Sequence, residues 1–270
     1  VAFLGGSDGV FRAISIHTGK VLWDVDMGEP VIAEPLLHKD DVLIGGMSGV
    51  FYRLSQATGE VLWQYDLESS VLSKAAVMDG RVFIVNNRNA LFSLDAKTGK
   101  YLWHKNRPHR TEFTMNGQGA PLAVDGDLFV GFSDGVLACL SPVDGAALWS
   151  RRLGKGDPRF SDVDAAPLLE GGRLYVSSFS GGVFALNPET GETIWQRDLT
   201  GASTPLLRGS SLVVSTADGA VVTLEKSDGT VRWSTRATER GQLLSQPVQA
   251  GSYLTVSDGR GLLLLHATSG

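Results

Sequence analysis

Short apolar runs closed by glycine-bearing turns recur along the whole chain, the pattern of many short strands joined by tight hairpins. One phrase ends in tryptophan and returns six times: His17-Thr-Gly-Lys-Val-Leu-Trp23, Ala57-Thr-Gly-Glu-Val-Leu-Trp63, Lys97-Thr-Gly-Lys-Tyr-Leu-Trp103, Val143-Asp-Gly-Ala-Ala-Leu-Trp149, Glu189-Thr-Gly-Glu-Thr-Ile-Trp195 and Ser227-Asp-Gly-Thr-Val-Arg-Trp233. A seventh copy opens at Ala267-Thr-Ser-Gly270. Each phrase follows a turn such as Ser7-Asp8-Gly9, Ser133-Asp134-Gly135 or Ala217-Asp218-Gly219 and the apolar strand it leads into. The glycine supplies the positive φ that a tight hairpin needs. A third unit, a proline followed by alternating apolar residues and a glycine turn, stands at Pro121 to Gly126 and at Pro167 to Gly172. Together these units give four short strands per repeat.

Four antiparallel strands at each recurrence predict the blade of a β-propeller, in which neighbouring blades shield strand edges that an open sheet would expose. The fold class expected is therefore all-β, with about seven four-stranded blades, or eight where a terminal strand or blade has been trimmed. One domain spanning 1–270 is expected. A solenoid would need helices or a shorter period, and a two-sheet sandwich would not repeat one phrase at constant spacing. The tryptophan is assigned to the outer strand of each blade, pressed against its neighbour, where burial of the indole contributes roughly 1.5–3 kcal/mol per copy.

Composition adds limits to this picture. Hydrophobic residues make up 43% of the chain, ample for a core, and the 33 glycines and 10 prolines suit turns better than long helices. A net charge of −5, with no run of lysine and arginine, argues against nucleic acid as a partner. The single cysteine, Cys139, excludes an internal disulfide and any paired-cysteine metal site; it is expected to be a buried core thiol. No apolar stretch approaches the length of a membrane-spanning helix, and the first residues carry no signal-peptide pattern.

On a propeller, function is carried where the repeat is interrupted. The intervals between successive tryptophans are 40, 40, 46, 46 and 38 residues, so surplus chain follows Trp103 and Trp149. The surplus is assigned to the connectors 104–120 and 154–166, which leave consecutive blades on one face and are expected to lie side by side. The first carries Phe113 and Met115 two residues apart, and the second carries Asp162 and Asp164. Alternation places each pair on one side of an extended segment. Apolar anchors beside charged groups suit a protein interface.

Other motifs carry little chemistry. Asp162-x-Asp164 before Ala165-Ala166-Pro167 is as readily an Asx turn as a binding site, and it lacks the later ligands of a calcium loop. Gly5-Gly6-Ser7-Asp8-Gly9 joins two strands, so it is a hairpin and not a phosphate loop. The histidines at 17, 38, 104, 109 and 266 show no metal spacing, and no serine sits in a nucleophile elbow.

The Thr-Gly-x-x-Leu-Trp phrase resembles the repeat shared by quinoprotein dehydrogenases and their non-catalytic relatives, the BamB family of outer-membrane assembly lipoproteins. The dehydrogenases hold a quinone against adjacent cysteines, and this sequence has no such pair, so no cofactor and no enzymatic activity are expected. Ser161-Asp162-Val163-Asp164 followed by Ala165-Ala166-Pro167 is similar to a BamB motif, and Phe113-Thr114-Met115-Asn116-Gly117 is a looser match to the BamB segment that pairs two leucines with an arginine. The resemblance implies a scaffold of the outer-membrane β-barrel assembly machinery that binds a POTRA domain of a BamA-like subunit. Phe113 and Met115 would be apolar anchors, and Asp162 and Asp164 acceptors for partner donors or for loop backbone. Asn116 stands where the family carries arginine, with Arg110 as a candidate substitute. It also implies a periplasmic location, tethered to the outer membrane through a lipid anchor outside this sequence, and contact with unfolded outer-membrane substrates. The alternative is a ligand-binding or sensory propeller of another extracytoplasmic protein, such as a receptor kinase, with its ligand in the central channel.

Overall fold

A computed structural model describes residues 1–107, 119–154, 162–238 and 242–268. Every regular element among them is a strand, and none of the described residues forms a helix able to cross a membrane. Seven antiparallel sheets follow one another in chain order, each strand hydrogen-bonded to its sequence neighbour. The chain falls into two compact units, Val1–His109 with Ala120–Phe129 and Leu140–Ala146, and Arg110–Gly119 with Val130–Cys139 and Ala147–Gly270.

The first unit opens with β1 (Ala2–Gly5), β2 (Val10–Ile14) and β3 (Val21–Asp26), a three-stranded sheet. The four-stranded sheets β4 (Leu36–His38), β5 (Asp41–Gly45), β6 (Val50–Ser55), β7 (Val61–Asp66) and β8 (Ala76–Met78), β9 (Arg81–Val85), β10 (Ala90–Asp95), β11 (Tyr101–Asn106) follow. The fourth sheet is β12 (Leu122–Val124), β13 (Asp127–Gly131), β14 (Val136–Leu140) and β15 (Ala147–Arg152). The second unit continues with β16 (Leu168–Glu170), β17 (Arg173–Ser178), β18 (Gly182–Leu186), β19 (Thr193–Arg197), then β20 (Leu206–Arg208), β21 (Ser211–Ser215), β22 (Ala220–Glu225), β23 (Val231–Arg236), and ends with β24 (Val248–Ala250), β25 (Tyr253–Ser257) and β26 (Leu262–His266). The glycine turns of the sequence connect the strands of these sheets, and the proline units hold the short strands β12 and β16.

Within each unit the apolar faces of successive sheets meet. Leu43 and Phe51 of the second sheet, with Leu67 just after its last strand, pack with Val82, Ile84, Phe92 and Leu94 of the third. Tyr175, Val183 and Trp195 pack with Leu212, Val214 and Leu224 in the second unit. The middle strands are therefore apolar on both sides, unlike the half-exposed outer strands, whose apolar residues alternate with solvent-facing ones.

The tryptophans tie one sheet to the next. Where β10 meets β11 the register shifts by one residue beside Ser93, which stands opposite Trp103, and the same bulge lies beside Ala13, Arg53, Ala185 and Thr223. A bulge re-aims the side chain across from it. The indole nitrogen then donates to a turn carbonyl of the following repeat: Trp23 to Gln56 at 2.9 Å, Trp63 to Ala96 at 3.2 Å, and Trp103 to Pro142 at 3.2 Å. In the second unit Trp149 donates to Pro188 at 2.8 Å and Trp195 to Lys226 at 3.0 Å. Each indole lies flat on the glycine of that turn, so a Cβ there would meet ring carbon at under 3 Å.

The residue opposite the tryptophan explains a small defect. Ser93 is 0% exposed, and its Oγ has no hydrogen-bond partner among the described residues, whereas Ala13 and Ala185 fill the equivalent register elsewhere. A buried hydroxyl without a partner costs about 1–3 kcal/mol. The Ser93→Ala variant is expected to be more stable by about 1 kcal/mol, read as a higher denaturant midpoint with unchanged slope.

One boundary differs from the sequence reading. His104 to Asn106 belong to β11, not to the connector, because Phe92, Leu91 and Ala90 of β10 pair with them and extend the ladder. Cys139 is buried in β14.

Candidate functional site

The second connector re-enters the described chain at Asp162 and is fastened at each step. Asp162 is 0% exposed, and its carbonyl accepts from the Phe179 amide at 2.9 Å. The Val163 amide donates to the Phe132 carbonyl at 3.1 Å, and Val163 presses so close to Gly131 that a Cβ there would stand 2.5 Å from the Val163 oxygen. The Ala166 amide donates to Thr204 Oγ1 at 3.2 Å, just before β16 begins.

Asp162, Val163 and Ala165 are all buried, so this is not a half-exposed extended segment with one polar side. Asp164 is only half-buried, and it borders a cavity of about 300 Å³ together with Ser203, Thr204, Thr216, Leu244 and Gln246. The two acidic residues thus stand in different environments, one enclosed and one open to a hollow. Both are engaged in interactions within the protein.

The end of the first connector reaches the same place. Gly119 lies against Asp164 and Ala165, where a Cβ would be 2.8 Å from the Ala165 carbonyl oxygen. Phe113, Met115, Asn116 and Arg110 lie outside the described residues.

A second concavity, in the first unit, was not singled out from the sequence. It is a groove of about 700 Å³ whose walls include Tyr65, Arg88, Phe92, Tyr101, His104 and Arg107. His104 stacks on Phe92 with ring centroids 5.4 Å apart, and its Nδ1 is 2.9 Å from the Tyr101 hydroxyl. Burial, followed by the nearby Tyr101, Glu68 and Asp66, pushes the Tyr65 phenol above its ordinary range. A signal for this site exists in the sequence, since its residues depart from their counterparts in the other repeats.

A crevice of about 560 Å³ at the turns of the second and third sheets holds more charge, but the fold uses it. Arg53 Nε donates to Asp41 at 2.7 Å, and its Nη1 donates to the Lys97 carbonyl at 2.6 Å. Among the described residues no group of three or more His, Cys, Asp or Glu side chains could hold a metal ion.

Successive antiparallel sheets of three or four strands, tied by an indole set on the next repeat's glycine, define a β-propeller. The chain belongs to the family of the outer membrane protein assembly factor BamB, whose sequence profile matches residues 7–235 and 181–270. The fold is similar to that of BamB from Moraxella catarrhalis, with a TM-score of 0.89 and 23% identity over 99% of this chain and 82% of that one. A computationally designed protein matches with a TM-score of 0.78 and 17% identity, over 98% of this chain and 80% of its own. The quinohemoprotein alcohol dehydrogenase ADHIIG from Pseudomonas putida HK5 shares the fold at a TM-score of 0.65 and 17% identity, over 80% of this chain but only 43% of the enzyme. No curated protein sequence matches the chain.

Proposed function

We propose that this protein is a non-catalytic periplasmic scaffold of outer-membrane β-barrel assembly, holding a POTRA domain of a BamA-like subunit through its two long connectors. Membership of the BamB family supports the assembly role. The observation that carries the docking site is the contact of Gly119 with Asp164 and Ala165, which joins the described ends of connectors 104–120 and 154–166 at one spot. In this reading Phe113 and Met115 are apolar anchors, Asn116 is a neutral contact in place of an arginine, and Asp164 is an acceptor beside its cavity. Asp162, enclosed by the protein, holds the connector in shape. The absence of adjacent cysteines from the sequence separates it from the quinone enzymes that share its blades. A lipid tether to the outer membrane and direct contact with unfolded barrel substrates belong to the same proposal.

The test is co-purification with the separate POTRA domains of a BamA homologue. Deletion of residues 108–116 is expected to abolish capture, and Asp164→Ala to weaken it about tenfold, the worth of one charge-assisted hydrogen bond. Asp162→Ala is expected to lower stability as well as capture. Undiminished capture by the deletion and by Asp164→Ala would overturn the docking site.

A further inference from the structure

In three repeats a valine of the connector fills a slot left open by a glycine. Gly5, Gly45 and Gly131 end β1, β5 and β13, and Val31, Val71 and Val163 of the following connectors press onto them, so a Cβ on any of these glycines would stand within 3 Å of valine atoms. The three valines are 2%, 0% and 1% exposed. In two other repeats a side chain takes the glycine's place, because Val85 pairs with Leu91 and Ser177 with Val183 as Gly45 pairs with Phe51. The valine's place, four residues before the proline, is then Gly117 before Pro121 and Gly201 before Pro205. Slot and side chain are lost together.

The sixth repeat keeps the side chain without the slot. Ser215 holds the glycine's place, pairing with Val221; it is 2% exposed, and its Oγ donates to the Ser245 carbonyl at 2.9 Å. Four residues before Pro247 stands Leu243, and it is 53% exposed. Its neighbours are held without it. Leu244 packs toward Val213, Val221 and Leu254, and the Ser245 amide donates to the Ser257 carbonyl at 2.8 Å while its Oγ accepts from the Ser257 amide at 2.9 Å. In a repeat architecture the shared residues maintain the fold, so a large apolar side chain that the fold does not seat carries a local task.

Leu243 lies beside the second connector. It borders the cavity of about 300 Å³ that Asp164 and Ala165 also line, and Gly119 lies against those same two residues. Three connectors therefore meet at one place. Most hydroxyl protons of the lining are spent inside the protein: Ser203 Oγ donates to the Thr204 carbonyl at 3.2 Å, Ser245 Oγ to the Gln246 carbonyl at 3.2 Å and Thr216 Oγ1 to Asp218 at 2.6 Å. An exposed leucine beside Asp164, Thr204 and Gln246 has the make-up of a protein contact, an apolar anchor among polar groups.

We infer that Leu243 is a further apolar anchor of the docking surface, so that the connector from β23 to β24 receives an apolar side chain of the same POTRA domain that the two long connectors hold. This rests on the docking role proposed above for those connectors.

The experiment measures the affinity of the purified chain for the separate, immobilised POTRA domains of a BamA homologue. Leu243→Ser is expected to bind about tenfold more weakly with an unchanged melting midpoint, and Leu243→Met to bind as the unaltered chain does. The chain lacking residues 108–116 is measured beside them. Full affinity of Leu243→Ser, or an equal loss in Leu243→Met, would overturn the inference, and with binding abolished by the deletion the long connectors would still stand. A tenfold loss in Leu243→Ser beside a harmless deletion would keep Leu243 as a contact and remove the long connectors. Failure of every POTRA domain to bind the unaltered chain would overturn both.

Discussion

Replacing Trp195 by alanine is expected to lower the unfolding free energy by about 3–5 kcal/mol, a large share of the 5–15 kcal/mol typical of a folded domain. The side chain is 7% exposed and packs with Tyr175, Leu212, Val214 and Val222, its ring centroid 6.2 Å from that of Tyr175. The lost hydrogen bond is the smaller part of the cost. The Lys226 carbonyl that accepts from the indole at 3.0 Å also accepts from Arg173 Nη1 at 2.7 Å, so it is not orphaned. The cavity dominates, because β19 and the turn at Gly229 are fixed by their own backbone bonds and cannot collapse onto the gap. Urea denaturation should show the midpoint falling with little change in slope. A loss under about 1 kcal/mol would mean that the indole does not hold the fifth and sixth sheets together.

Gly99→Ala is expected to cost about 3 kcal/mol, and Gly19→Ala only about 1 kcal/mol, although both glycines occupy the same turn with nearly the same backbone. Gly99 has φ +70° and Gly19 has φ +69°, so both variants bear the same left-handed strain. They differ in what a methyl group would meet. At Gly99 it would stand 2.7 Å from Trp63 Cδ2, in the face of the indole, while at Gly19 nothing lies within 4 Å. The gap between the two variants therefore isolates the displacement of Trp63, and denaturant midpoints of the pair measure it directly. Equal losses would assign the repeated phrase to turn geometry alone and remove its packing role.

The architecture was readable because a propeller repeats its solution. Six copies of one phrase at near-constant spacing located the outer strands, and the proline and glycine units located the short strands that become β12 and β16. The surplus after Trp103 was overdrawn by three residues, since His104 to Asn106 extend β11 along a partner that the sequence spacing does not reveal. Alternation suggested one polar side for Asp162 and Asp164. The structure instead encloses Asp162, because neighbouring segments at Phe132 and Phe179 close over both sides of the connector. The groove at Arg88 escaped notice for a related reason: its aromatic and cationic residues are spread from Tyr65 to Arg107 and share no local spacing.

The chain by itself determined its strands, its turns and the period at which they return, because these depend on φ preferences and on which side chains alternate over a few neighbouring residues. Only the tertiary structure decided which carbonyl each indole reaches, which aspartate is sealed inside, and where Arg88 is set beside Tyr101 and His104. Those outcomes depend on groups brought together from different strands and hairpins, and burial and cavities arise only when such groups close over one another.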